Sequence, residues 1–343
     1  MNTDPRGAAV WTVADEPTGA VVAHDGSAAR ENGRMPSLSL VFAGSPAAAV
    51  PSLRVLAASG HRIVAVLTRA DSPQGRRAVL TQTPVADVAD ELGIPVIKAN
   101  RLDAETTAAI QALQPDLGVI VAYGGLVREP LLSTPTLGWI NIHFSLLPRW
   151  RGAAPVQRAL IAGDEVTGAA VFQLVPELDA GAVFATLTHP IGGVETAGHL
   201  LETLAVFGAD LLTGVVDSLA DGTAVAIEQT GEVTLAPKLR LDDGRIDWTR
   251  PASEISNLIR GVTPEPGAFT VLGDARLKVL DAALARDAAP LAPGHLDFVS
   301  KAVLVGTATH PLQLLTVHPA GKKAMAAADW WRGRPAESAT VAE

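Results

Sequence analysis

The stretch Trp139–Asp164 reads WINIHFSLLPRWRGAAPVQRALIAGD. Its first six residues form a short apolar run interrupted by Asn141 and His143. A Ser-Leu-Leu-Pro turn follows at 145–148, then Arg149 and Arg151, then a helical pattern that closes at Gly163. A short apolar run that stops at a turn and feeds a helix predicts a buried strand of an α/β sheet. In such sheets ligands sit at the carboxyl ends of the strands, where the strand order switches. Side chains at i and i+2 share one face of a strand, so Asn141 and His143 can converge on one bound atom. The helix from Pro155 can aim its first N–H groups at the same crevice. Taken alone, the pair is better read as a strand end whose polar groups are satisfied by hydrogen bonds.

The same texture extends on both sides. LSLVFAG (38–44), RIVAVLT (62–68), PVIKA (95–99) and DLGVIVAYG (116–124) read as strands. Residues 47–60, 84–93, 103–114 and 154–163 read as the intervening helices. GAAVFQLV and AVFATLTHPI read as a strand pair, and 197–222 as one long helix. This alternation predicts a Rossmann-like, doubly wound, mostly parallel sheet. Residues 223–240 are polar and connecting. Beyond them lie one short helix and several short strands with turn signals, the pattern of a small antiparallel β-barrel. The expected divisions are therefore 35–222, a linker at 223–240, and 241–343. Residues 1–34 lack periodicity and read as a disordered extension, with Met35 as the expected native start.

Composition narrows the chemistry. A length of 343 residues suggests two domains. A net charge of −9 does not mark a nucleic-acid binder, although the last part is nearly neutral, with 11 basic and 12 acidic residues over 241–343. There are no cysteines, which excludes disulfides, thiolate nucleophiles and Cys-ligated zinc. No run of 18 apolar residues is free of charges and breaks, so no membrane span is expected. The first 34 residues hold five acids, three arginines and no apolar core, unlike a signal or transit peptide. The cytoplasm is the expected compartment.

A second candidate site is VPELDAG at 175–181, with Asp179 in a turn bounded by Gly181. Asp179 is also an ordinary turn residue by type. Paired with His143, its carboxylate would raise the imidazole pKa and favour the charged ring. Asn141 and a protonated His143 would then be two donors to a developing oxyanion, worth ~3 kcal/mol each in comparable sites. No G-x-S-x-G elbow is present. The expected chemistry is direct attack of a substrate nucleophile on a carbonyl. FAGSP at 42–46 lacks the dinucleotide fingerprint, and neither a P-loop nor H-E-x-x-H occurs. DSPQGRRAVL at 71–80 reads either as a solvated loop or as an arm touching a phosphate backbone. Trp330 and Trp331 read as core residues.

These stretches, with VFAGSPAAAVPSL, LDAG, APKLRLDDGRIDW, PEPGAF and GKKAM, resemble the folate-dependent formyltransferases, and within them the branch that formylates methionyl-tRNA. The similarity runs from Met35 to Arg334. It implies a formyltransferase-type first domain and an OB-like second one. It implies 10-formyltetrahydrofolate as formyl donor and the α-amine of methionyl initiator tRNA as acceptor; no metal and a monomer are expected. It assigns catalysis to Asn141, His143 and Asp179. It assigns the folate site to Ser145, Leu146, Leu147 and Pro148, with Ala122, Tyr123 and Gly124 beside the pterin. Arg76 falls at the family's loop arginine, with Arg77 as partial substitute for lysines replaced here by Ala78 and Val79. Lys238, Arg240, Arg245, Lys322 and Lys323 are expected to form a basic stripe toward tRNA. Phe144 stands where the family usually has a small residue. The alternative is a formyltransferase acting on an amino sugar or another small amine.

Overall fold

A computed structural model describes residues 36–75, 78–335 and 340–342. The expected extension over 1–34 and the start at Met35 lie outside the described residues.

The first half alternates β1 (Ser39–Gly44), α1 (Val50–Ala57), β2 (Arg62–Thr68), the hairpin β3 (Ser72–Gln74) and β4 (Val79–Thr81), α2 (Pro84–Glu91), β5 (Val96–Lys98), α3 (Ala104–Ala112), β6 (Leu117–Val121) and β7 (Trp139–His143). Then come α4 (Pro155–Ala162), β8 (Val166–Gln173), β9 (Val183–Pro190) and α5 (Ala197–Ala220). Thr83 and Asp103 accept from the backbone N–H groups of Ala86 and Thr106, which starts α2 and α3 by satisfying a free helix donor. Seven strands form one sheet in the order β5-β2-β1-β6-β7-β8-β9. The pairs from β5 through β7 are parallel, and β8 and β9 join antiparallel. The order reverses between β1 and β6, which puts the switch-point crevice at their carboxyl ends, next to the end of β7.

β1 and β6 are buried almost throughout, as strands covered on both faces must be. One core layer gathers Leu40, Phe42, Val119, Ile140 and Ile142 with Leu200, Leu204 and Leu212 of α5. The opposite layer is built around Tyr123, Ile110, Leu131 and Trp139. The Trp139 ring lies over Gly118, where a Cβ would fall 2.1 Å from it, so β6 needs glycine at that register. By length and composition α5 could cross a membrane. Here its leucines are buried on the first sheet instead.

Phe144 finds its explanation in this layer. A Cβ on Gly208 of α5 would sit 2.6 Å from Ile142 and 3.6 Å from the Phe144 ring. The large side chain fills the space that Gly208 leaves, and it is only 6% exposed.

The second half contains α6 (Ala252–Gly261), β10 (Ala268–Leu272), β11 (Ala275–Leu284), β12 (Leu296–Val299), β13 (Ala302–Val305), β14 (Leu312–Pro319), β15 (Met325–Ala326) and α7 (Ala327–Arg332). The antiparallel order is β10-β11-β14-β13-β12, with β15 on β14. This is a curled half-barrel around Ile246, Trp248, Val279, Leu314 and Trp330. Its two edge strands are joined by the chain end. Ala342 bridges Leu272, Val341 bridges His295, and the Leu296 N–H donates to Thr340 O at 2.7 Å. That staple uses backbone groups and carried no sequence signal.

Candidate active site

Asn141 and His143, on one face of β7, line a cleft of about 470 Å3 together with Asp179. Ala122, Tyr123 and Gly124 form its wall at the end of β6. Tyr123 contributes there chiefly through its backbone. Its ring is 1% exposed, its hydroxyl donates to Ala99 O at 2.7 Å, and burial raises its pKa. Ala122 and Gly124 take left-handed φ of 48° and 75°, turning the chain around the cleft mouth.

His143 is buried, and Nε2 lies 2.8 Å from Trp150 O. A carbonyl only accepts, so Nε2 must carry the hydrogen. That leaves Nδ1 facing Asp179 Oδ2 at 3.7 Å. Burial lowers the His143 pKa below 6.5, and this outweighs the opposing effects of the Asp179 charge and the Trp150 carbonyl. The expectation of a resting imidazolium is therefore corrected. Asp179 acts in the expected direction, but withdrawal of the ring from water dominates, and the free site holds a neutral imidazole with its Nδ1 lone pair toward the cleft. Asp179 itself takes a left-handed φ of 46°, and its Oδ2 accepts from the Gly152 N–H at 2.7 Å. Asn141 Oδ1 is buried without a hydrogen-bond partner. A buried amide with unused capacity is costly unless something else binds it.

The Ser145–Pro148 turn does not line this cleft. The Ser145 hydroxyl is fully buried and donates to Arg149 O at 2.6 Å. Leu146 lines a separate groove with Arg149, Trp150, Asp164 and Thr167. Whatever it contributes to folate, this turn has a shaping task of its own. The turn folds the chain back so that the Trp150 carbonyl meets His143. Trp150 holds φ of 61°, fixed by its N–H to Thr234 Oγ1 at 2.9 Å and its indole N–H to Asp164 at 2.8 Å.

Sequence reasoning also missed what the connecting segment does. Thr234 and Ala236 ladder with Arg151 and Ala154, and Ile227 pairs with Val183 of β9. Gly152, at φ 125°, sits so close that a Cβ would lie 2.7 Å from Ala236 O. The glycine in Arg-Gly-Ala-Ala was the one available clue.

Arg76 and Arg77 lie outside the described residues. Lys238, Arg240, Lys322 and Lys323 are all exposed. The turn after Arg240 backs onto Gly267, just before β10, and Arg245 pairs with Phe269. Lys322 and Lys323 follow Ala320, which bonds Arg276 at the other end of the β10–β11 ladder.

Comparison with known proteins agrees with the geometry. Residues 39–216 match the formyl transferase family and residues 238–335 the formyl transferase C-terminal domain. A methionyl-tRNA formyltransferase of Clavibacter sepedonicus is 62% identical over 294 residues, covering 86% of this chain and 96% of that one. One from Leifsonia xyli subsp. xyli is 58% identical over 299 residues, covering 87% and 98%. Among solved structures, an N-formyltransferase from Helicobacter canadensis, in complex with folinic acid and dTDP-3-aminofucose, aligns at TM-score 0.62. At 16% identity, over 81% of this chain and 98% of that one, this likeness concerns the fold alone. With both halves matched and close relatives aligned along nearly their whole length, the chain belongs to the methionyl-tRNA formyltransferase family.

Proposed function

We propose that this enzyme transfers the formyl group of 10-formyltetrahydrofolate to the α-amine of methionyl initiator tRNA, with Asn141, His143 and Asp179 as the catalytic residues. The observation that carries the reading is the free Nδ1 edge of a neutral, tautomer-fixed His143 beside the unsatisfied amide of Asn141 in one cleft.

The amine nitrogen attacks the formyl carbon and its carbon–oxygen π pair moves to the oxygen. A half-turn of the Asn141 amide presents Nδ2 to that oxyanion. His143 Nδ1 takes the proton the amine must lose. The imidazolium so formed lies beside the Asp179 carboxylate, which stabilises it in a site of low dielectric. Collapse of the adduct breaks the bond to N10, and His143 returns its proton to that leaving nitrogen. The ring ends neutral, as it began.

The 121–124 strand end and the 174–178 wall are the proposed folate side of the cleft, because they supply apolar surface for a planar ring, and the adjoining Ser145–Pro148 turn remains a proposed folate contact. Residues 35–222 are the proposed catalytic domain, 241–343 the proposed acceptor-binding domain, with 223–240 between them. Lys238, Arg240, Lys322, Lys323 and the Arg76–Arg77 loop remain the proposed tRNA contacts, and the cytoplasm the proposed compartment. The sugar-amine alternative is disfavoured because the chain is 62% identical to an enzyme named for tRNA and 16% identical to one crystallised with a sugar nucleotide.

A formylation assay with 10-formyltetrahydrofolate and charged initiator tRNA, run against a small-amine competitor, tests the reading. Formyl-methionyl-tRNA formation that depends on His143 is expected. Preference for the small amine would overturn it.

A further inference from the structure

Gln229 lies in the polar segment between the two sheets, where composition suggests only a tether. Its side chain is fully engaged. Nε2 donates to the carbonyls of Asp179 at 2.8 Å and Gly181 at 2.9 Å. Oε1 accepts from Arg151 Nη2 at 2.6 Å and Nε at 3.1 Å. Arg151 is flanked by the two residues whose backbone groups reach the catalytic pair. The Trp150 carbonyl holds His143 Nε2, and the Gly152 N–H holds Asp179 Oδ2. The contacts close a ring from Asp179 Oδ2 through Gly152 and Arg151 to Gln229, and back to the Asp179 carbonyl.

The ring has a physical task. Asp179 holds a left-handed φ of 46° without being glycine, a conformation that persists only where surroundings impose it. A carboxylate 3.7 Å from Nδ1 also loses its electrostatic value quickly if its turn relaxes. Two side-chain hydrogen bonds to the carbonyls on either side of Ala180 pin that turn. The Arg151 clamp fixes the same amide to the loop that fixes His143.

We infer that Gln229 is a positioning residue for Asp179, coupling the turn that carries it to the loop that carries the His143 anchor. The inference rests on the roles proposed above for Asp179 and His143. Gln229 is half-buried on a mostly exposed segment and belongs to neither core cluster, so its replacement leaves both cores untouched.

The test is a double-mutant cycle between Gln229→Ala and Asp179→Asn, reading kcat and KM separately. Gln229→Ala alone is expected to lower kcat about tenfold to hundredfold, the usual cost of slight misplacement, with KM for both substrates nearly unchanged. In the Asp179→Asn background the same change is expected to cost almost nothing, because its target is gone. Gln229→Glu keeps the Arg151 bridge but removes both donors to the turn, and is expected to match the alanine variant. An undiminished kcat in Gln229→Ala, or equal losses in both backgrounds, overturns the inference. A normal kcat in Asp179→Asn by itself would instead overturn the catalytic assignment on which the inference stands.

Discussion

In the first sheet, Asn141, His143 and Asp179 share one cleft, and His143 is 6% exposed. Beside the second, Lys322 and Lys323 stand exposed on a turn, and Lys238 and Arg240 are exposed as well. Burial makes the difference. A buried polar group must be oriented by specific partners, and those partners fix its tautomer and its reach. An exposed lysine is screened by water and salt and is held by little. The strand-end site therefore has a geometry from which chemistry can be derived, whereas the basic groups offer charge and location only.

The sharpest way to break this contrast is to remove the buried groups. His143→Ala or Asp179→Ala is expected to lower kcat by ~10²–10⁴-fold, the range for a positioned proton-transfer group, with folate affinity retained in a direct binding titration. Near-normal turnover in either variant would mean that the ordered cleft is not the reacting one.

Burial also predicts stability. Truncating Phe144 to alanine empties the space above Gly208 and is expected to cost ~3–5 kcal/mol in a urea titration. A loss under 1 kcal/mol would show that α5 closes over the gap. The nearby histidine gives a signed pH effect. Its folded pKa is depressed below 6.5, so the unfolded chain binds the proton first as pH falls. The stability contributed by neutral His143 is full above 6.5 and declines below it, down to the folded pKa. Denaturation between pH 7.5 and 5.5 should show a shallower decline for His143→Gln than for the parent chain.

The smallest effects belong to the exposed group. Lys322→Glu with Lys323→Glu is expected to raise KM for tRNA several-fold, leave kcat for a saturating acceptor unchanged, and flatten the salt dependence by ~0.7–0.9 per lost phosphate contact. The Lys238→Glu, Arg240→Glu pair should raise KM for tRNA in the same direction. A salt slope unmoved by both pairs would remove the second sheet from the acceptor path.

Much of the architecture was legible from periodicity. The seven strands of the first sheet and the long helix follow apolar runs and capping residues, because both depend on local pattern and burial, whereas the exposed β3–β4 hairpin was read only as a loop. Asn141, His143 and Asp179 were legible as residue types, and the motifs around them specified the family. The protonation state was not, because it depends on how far water is excluded. Nor were the Trp150 carbonyl, the Gly152 amide or the Thr340–Ala342 staple, because backbone groups look alike in any sequence. The 145–148 turn was assigned to folate by its motif, and its part in shaping the loop was not legible. In space its Ser145 hydroxyl faces its own loop.

By itself, the sequence determined the alternation that builds the first sheet, the strand that ends at His143, and the absence of any cysteine chemistry. Those follow from short-range pattern and composition. Tertiary structure alone decided that Phe144 packs over Gly208, that His143 is neutral with Nδ1 toward the cleft, and that Gln229 clamps Asp179 from fifty residues away. Each of these depends on which distant atoms share a buried space, and burial is a property of the folded whole.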